Sequence, residues 1–290
     1  MIVLPITLLA YEGPIVRAYL AVLQNAGFRF RSIRSLILRS PRKKSWLPQA
    51  VMDVYRQRRA VDTHLYWPRW LRRRCDYLYR EMVAKVGSAF ALRGELFDEA
   101  LEGHDLSLYC DDVCAVTVDG LNDPALRSAL AGLDPGEILY SGGGIVPAVL
   151  LNDPTRPWLH IHPGFLPHVR GADGVLWSTL VRRRAGVSCF HMAPGIDLGP
   201  VLAAREFAAP HFSLPKNQRP ADATLYRALF SFYDPYLRAS LLLDHLRSRV
   251  ELEGWGAPPP VPQDPDAGVT YHFMHPLLRQ RALGMLFRET

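Results

Sequence analysis

The sequence lacks the spacings that would mark it as a metal, disulfide or membrane protein. Its four cysteines, Cys75, Cys110, Cys114 and Cys189, are too few for a disulfide scaffold, and Cys110 and Cys114 have no second pair to complete a zinc site. All four are expected as reduced thiols in a cytoplasmic protein. The opening MIVLPITLLAY is apolar, but no basic stretch precedes it and it is too short to span a bilayer, so a buried strand is expected and no membrane association. Neither H-E-x-x-H nor G-x-G-x-x-G occurs, and there is no internal repeat or heptad register. Charge is also limited. A formal net charge of +6 suits a partner carrying carboxylates or phosphates, but it is a weak argument for nucleic acid.

The composition is that of a soluble globular chain, with 49% hydrophobic and 21% charged residues. Residues 2–9 read as a parallel-sheet strand, IVRAYLAVLQNAG as a helix stopped at Gly27, and Ile33 to Leu38 as a second strand. That is the β-α-β opening of an open α/β sheet. Residues from about 40 to 103 are rich in arginine and aromatics and predict a helical insertion, with solvated arginines and tryptophans that cover the sheet. A docking surface for an anion or a membrane is the alternative. The α/β rhythm then resumes, with strands expected over LSLYCDDVCAV, GEILY, PWLHIH, GVSCFHM and GPVLAAREF. NDPALRSALAGL predicts a helix capped by Asn122 or Asp123, with Pro124 in its first turn. Past residue 207 one long helix, or two meeting near Asp234-Pro235, leads through a proline-rich connector to a strand-and-helix flap. The expected domains are therefore an α/β unit over 1–207 and a small helical extension over 208–290.

Three of the ten histidines crowd into HIHPGFLPHVRG, residues 160–171. His160 and His162 at i, i+2 on a strand share a face and could be two metal ligands, but no third falls at a known spacing, and no metal is expected. YSGGGIVP places Gly142, Gly143 and Gly144 between a strand and a helix, where amides can approach a phosphate or the polar edge of a flat heterocycle. Asp197 lies in APGIDLGPVL, either as a turn former or, with His162, as half of a proton-transfer pair. His168 reads as loop surface and Trp177 as core. Arg170 either orients an anionic acceptor or is simply solvated.

HIHPGFLPHVRGAD resembles the N-x-H-P-S-L-L-P loop, followed by a basic residue and G-A, of the folate-dependent formyltransferases. GVSCFHMAPGIDLGPVL is similar to that family's G-x-T-V-H-x-V segment and its D-x-G-P-I-L turn. The resemblance covers about residues 105–207 and implies a Rossmann-like, mostly parallel sheet. It implies that His162 and Asp197 are the catalytic histidine and aspartate, and that Gly142, Gly143, Gly144, Ile145 and Val146 line a pterin slot. Arg170 and Gly171 would face the acceptor. Two positions depart from the pattern. His160 replaces an asparagine that donates to the formyl oxygen, a donor worth about 3–4 kcal/mol in a transition state, and is the third catalytic candidate: either it supplies that bond in another geometry, or activity is reduced or altered. The family histidine before the aspartate falls on Phe190, with His191 one place off.

The activity the resemblance implies is formyl transfer from N10-formyltetrahydrofolate to the amine of a small molecule, an amino-sugar nucleotide or a hydroxylated amine or amino acid, with no metal. Methionyl-tRNA is disfavoured as acceptor, because the C-terminal part shows no β-barrel pattern. A homodimer is left open. The alternatives are a formyltetrahydrofolate hydrolase, or a weakened folate-binding protein because of His160.

Overall fold

The computed structural model describes residues 1–39, 47–252, 255–256 and 258–290. It opens with strand β1 (Ile2–Tyr11), helix α1 (Pro14–Asn25) and strand β2 (Phe28–Leu38), as the apolar runs predict. Residues 40–46, the first of the expected insertion, lie outside the described residues. Four helices follow: α2 (Gln49–His64), α3 (Tyr66–Arg74), α4 (Asp76–Phe90) and α5 (Glu95–Glu102). The parallel part of the sheet is completed by β3 (Val113–Val118), α6 (Pro124–Ala131), β4 (Glu137–Tyr140), α7 (Ala148–Leu151) and β5 (Trp158–His162). Next come the short β6 (Val169–Gly171), α8 (Gly174–Trp177), β7 (Arg184–His191) and β8 (Val201–Ala208). The remainder is β9 (Phe212–Leu214), α9 (Asp222–Ala228), α10 (Asp234–Val250), β10 (Val269–Tyr271), α11 (Pro276–Leu286) and β11 (Phe287–Glu289).

The main sheet runs β3-β2-β1-β4-β5-β7-β8. Its first five strands are parallel, β7 is antiparallel to β5, and β8 is antiparallel to β7. This is the Rossmann-like open sheet that the sequence predicts. Strand order reverses beside β1, and in such sheets ligands bind outside the carboxyl ends of the strands near that reversal. The carboxyl ends of β4 and β5 lie there.

Each face of the sheet has its own core. On one, Leu8, Leu139, Leu159 and Ile161 pack under α1 and α10; on the other, Leu36, Val116, Ile138, Tyr140 and Trp158 pack under α6 and α7. Leu237, Leu242 and Leu246 of α10 are fully buried, and each such side chain contributes roughly 1.5–3 kcal/mol. Two helices do meet at Asp234-Pro235, through a π-helical turn over Leu229–Tyr233, with Pro235 in the first turn of α10, where its missing N–H costs nothing.

Two local expectations change. LSLYCDD is not strand, because the Asp105 carboxylate accepts from Ser107 N at 2.9 Å and winds Leu106–Leu108 into a short 3-10 helix. Trp46 lies outside the described residues, and Trp67 and Trp70 do not cover the sheet, since α3 packs chiefly on α4 and α9, and Arg227 of α9 stacks on Trp67. Several of its arginines bind protein groups: Arg69 donates to Leu101 O and Glu102 O, and Arg72 pairs with Asp98.

Candidate active site

All five residues of β5 are buried, because the strand is flanked on both sides and covered on both faces. His160 and His162 point to one face of it, and the turn that follows is braced from β7. There Ser188 Oγ donates to Gly164 O at 2.8 Å and accepts from Leu166 N at 2.9 Å. Gly164 is required: a Cβ at this position would run into Val169 O and the His162 ring.

With that space open, His162 Nε2 reaches Val169 O at 2.9 Å. A carbonyl only accepts, so Nε2 carries the hydrogen and Nδ1 is the free position of the neutral ring. Nδ1 faces Asp197 Oδ2 at 3.4 Å. Asp197 has φ 54°, in the left-handed region that aspartate tolerates better than most residues. The same Oδ2 accepts from Gly171 N at 2.8 Å, and the main chain of the turn is held by Gln263, whose Nε2 donates to Asp197 O at 2.8 Å. The structure thus brings together the two residues that the sequence singled out. Burial lowers the His162 pKa, Asp197 opposes that shift, and Arg238 reinforces it. The contact between a bare nitrogen and a carboxylate becomes attractive only when a proton lies between them, so this pair is built to take up and release one.

His160 is arranged differently. The β4–β5 ladder ends at Leu139–Leu159, and His160 Nδ1 fills the gap beyond it by donating to Tyr140 O at 2.9 Å. That bond fixes the tautomer with a bare Nε2. Burial, then Arg238, pushes the pKa to about 4, so the ring is neutral at pH 7 and presents an acceptor rather than a donor. Phe190 packs edge-on against it, with ring centroids 5.9 Å apart.

Arg238, which the sequence reading did not single out, lies behind both histidines. It is 8% exposed, pairs with Asp234 at 3.0 Å, and donates from Nη1 to Ile161 O at 2.5 Å. The signal was visible in SFYDPYLRASLLLDHL, where Asp234 and Arg238 stand four apart on an otherwise apolar helix face.

The glycine turn follows β4 beside this site. Gly143 and Gly144 are exposed and Ile145 is 75% exposed, while Gly142 fits only because it lacks a Cβ beside the Tyr140 ring. Val146 is different: its side chain belongs to the α6 and α7 core and faces no slot. Arg170 does not reach out to an acceptor. It is 3% exposed, and its Nη1 and Nη2 donate to Pro265 O and Asp264 O at 2.9 Å. Gly171 is likewise structural, since a Cβ there would collide with the Tyr271 backbone. His168 is exposed and bonds Ala267 O, and Trp177 is partly buried, stacked on Tyr271. His191, the offset histidine, sits at the amino end of the sheet and binds Glu137 Oε1 at 2.9 Å. Among the described residues no three His, Cys, Asp or Glu side chains converge as metal ligands, and no helix is long and apolar enough to cross a membrane.

No protein-family model matches the chain. In sequence it is 34% identical over 94 residues to the methionyl-tRNA formyltransferase of Syntrophus aciditrophicus, a match covering 31% of this chain and 30% of that protein. It is 32% identical over 147 residues to the Jannaschia sp. methionyl-tRNA formyltransferase, covering 50% and 42%. The chain is similar to formyltransferases over up to half of its length. It spans less than half the length of these formyltransferases. Among solved structures, a sugar N-formyltransferase from Shewanella sp. aligns over 97% of this chain and 87% of that chain, at 12% identity and a TM-score of 0.46. Aquifex aeolicus HypX in complex with tetrahydrofolic acid aligns over 68% and 28%, at 18% identity and a TM-score of 0.36.

Proposed function

We propose that this chain transfers a formyl group from N10-formyltetrahydrofolate to the amine of a small molecule, an amino-sugar nucleotide or a hydroxylated amine or amino acid. The observation that carries the reading is the pairing of the buried His162 with the partly exposed Asp197 at the carboxyl end of β5, in a chain whose sequence relatives are formyltransferases. As the new C–N bond forms, the attacking nitrogen loses a proton; as the old one breaks, the nitrogen of the folate gains one. Asp197 Oδ2 and His162 Nδ1 accept the first and return the second, work worth about 10²–10⁴-fold in rate. The imidazolium formed meanwhile steadies the oxygen of the formyl carbon. The amides of the exposed residues Gly143, Gly144 and Ile145 would meet the polar edge of a pterin, with Gly142 shaping the turn.

His160 takes a role other than oxyanion donor. Its bare Nε2 accepts from the incoming amine and aims the nitrogen lone pair at the formyl carbon. The same acceptor favours a second reading, because it would hold a water as readily, and water attack makes the chain a formyltetrahydrofolate hydrolase.

Mixing purified protein with 10-formyltetrahydrofolate, alone and with a panel of amines that includes methionyl-tRNA, tests these readings. Release of tetrahydrofolate that depends on a small amine supports the proposal. Release without any amine supports the hydrolase. Folate binding without turnover would leave a binding protein weakened at His160.

A further inference from the structure

The residues that orient the catalytic pair are themselves held from far along the chain. Val169 O fixes the His162 ring and Gly171 N fixes Asp197, so both groups are oriented from β6. Among the described strands, β6 pairs with β10 alone, in parallel register, Val169 with Val269, Arg170 with Thr270 and Gly171 with Tyr271. The connector in front of β10 is anchored on β8 by two hydrogen bonds between Val201 and Val261, of 2.8 and 2.7 Å. Between these anchors stands Gln263. Its Nε2 donates to Asp197 O at 2.8 Å and Gly199 O at 2.5 Å, bracketing the turn that carries the carboxylate. Its Oε1 accepts from Arg170 Nε at 3.5 Å, and Arg170 also grips the next two carbonyls of the connector.

We infer that Gln263 is a positioning residue: it holds the left-handed turn of Asp197 at the reach of His162, and with β10 it makes the C-terminal connector part of the catalytic geometry. The inference rests on the formyl-transfer reading for its kinetic consequence, but not for its structural one. The His162–Asp197 gap of 3.4 Å is already longer than a hydrogen bond. A further displacement on the order of 1 Å costs about 10²-fold in rate.

The test uses the full chain and two variants. Gln263→Ala removes the side chain. Gln263→Glu keeps its size, replaces the donor by an acceptor facing two carbonyls, and offers Arg170 a carboxylate, so a merely structural role would survive it. Two readouts are taken at matched thermal stability: kcat and KM for formyl transfer, and the titration of the His162 imidazole by NMR, assigned by its loss in His162→Ala. The charged and titratable neighbours of that ring are Asp197, Arg238, Asp234 and His160, and none of them is changed; Gln263→Glu adds a carboxylate that shifts the titration by charge alone, so a displacement is read in Gln263→Ala. The expected result is a kcat lower by about 10- to 100-fold in both variants with KM for the folate nearly unchanged, together with a displaced His162 titration. Unchanged kcat in both variants and an unmoved titration in Gln263→Ala would overturn the inference. If the wild type shows no formyl transfer, the function reading has failed and the Gln263→Ala titration alone decides: displacement upholds the positioning role, and none overturns it.

Discussion

Two histidine–carboxylate pairs stand at opposite ends of the sheet, and they differ in what surrounds them. At the amino end, His191 meets Glu137 Oε1 at 2.9 Å, and the other oxygen of Glu137 is taken by the buried Arg249. That Glu137 pKa is held low by these partners despite burial, and Trp255 stacks on the Arg249 guanidinium. Every charge there has a counter-charge, so the cluster ties β4 and β7 to α10. At the carboxyl end, Asp197 has a backbone amide and a histidine 3.4 Å away, with no cation among the described residues bound to its carboxylate. The same two residue types serve as a closed structural pair in one place and as an incomplete, proton-seeking pair in the other. What separates them is the arginine.

The comparison can be broken most severely at the carboxyl end. His162→Ala and Asp197→Asn should each lower formyl transfer by about 10²-fold or more while leaving the melting temperature within a few degrees of wild type. Near-full activity in either would put the chemistry elsewhere. The opposite pattern is expected at the amino end. Glu137→Ala leaves Arg249 buried without its carboxylate and should cost about 3–5 kcal/mol in denaturant unfolding, with turnover per folded molecule retained.

Acid should test both ends together. His160 and His245 both have pKa values depressed to about 4 by burial, each with an arginine close by. Between that value and the usual 6.5 the unfolded chain binds the protons that the folded chain refuses. The stability they provide is therefore complete above about pH 6.5 and is lost as pH falls toward 4, on the order of 3 kcal/mol for each residue. Unfolding free energies measured across that window should flatten in His160→Asn and in His245→Leu. The smallest effect is expected for His160→Asn on rate, a loss of several-fold measured as kcat. A rise would mean that histidine limits the reaction.

Much of this was legible in the sequence because the signals were local. A short apolar strand ending in His160, His162 and a proline turn, and an aspartate flanked by Gly195 and Gly199, predicted both members of the pair and the sheet that joins them. Other features were not legible, since they depend on which distant segment arrives. Arg170 looked like a free cation beside a glycine, and only the course of residues 263–265 explains its burial. Val146 shared the glycine-turn motif, yet it packs into the adjoining core. Gln263 sits in a proline-rich stretch with no periodicity, where nothing marks it as a neighbour of Asp197. Phe190 and His191 show the converse: a shift of one residue along a strand sends a histidine to the opposite side and into another network.

The pairing of β6 with β10 has a consequence for biosynthesis. Asp173 accepts from Met274 N, a residue 101 positions further along, and the contacts of Val169 to Gly171 with β10 span a similar distance. A nascent chain can form its sheet as it leaves the ribosome, but the ladder that orients His162 and Asp197 must wait until residues 269–271 are translated. A chain translated through α10 would then have its sheet and most of both cores in place while His162 and Asp197 still lacked the ladder that orients them.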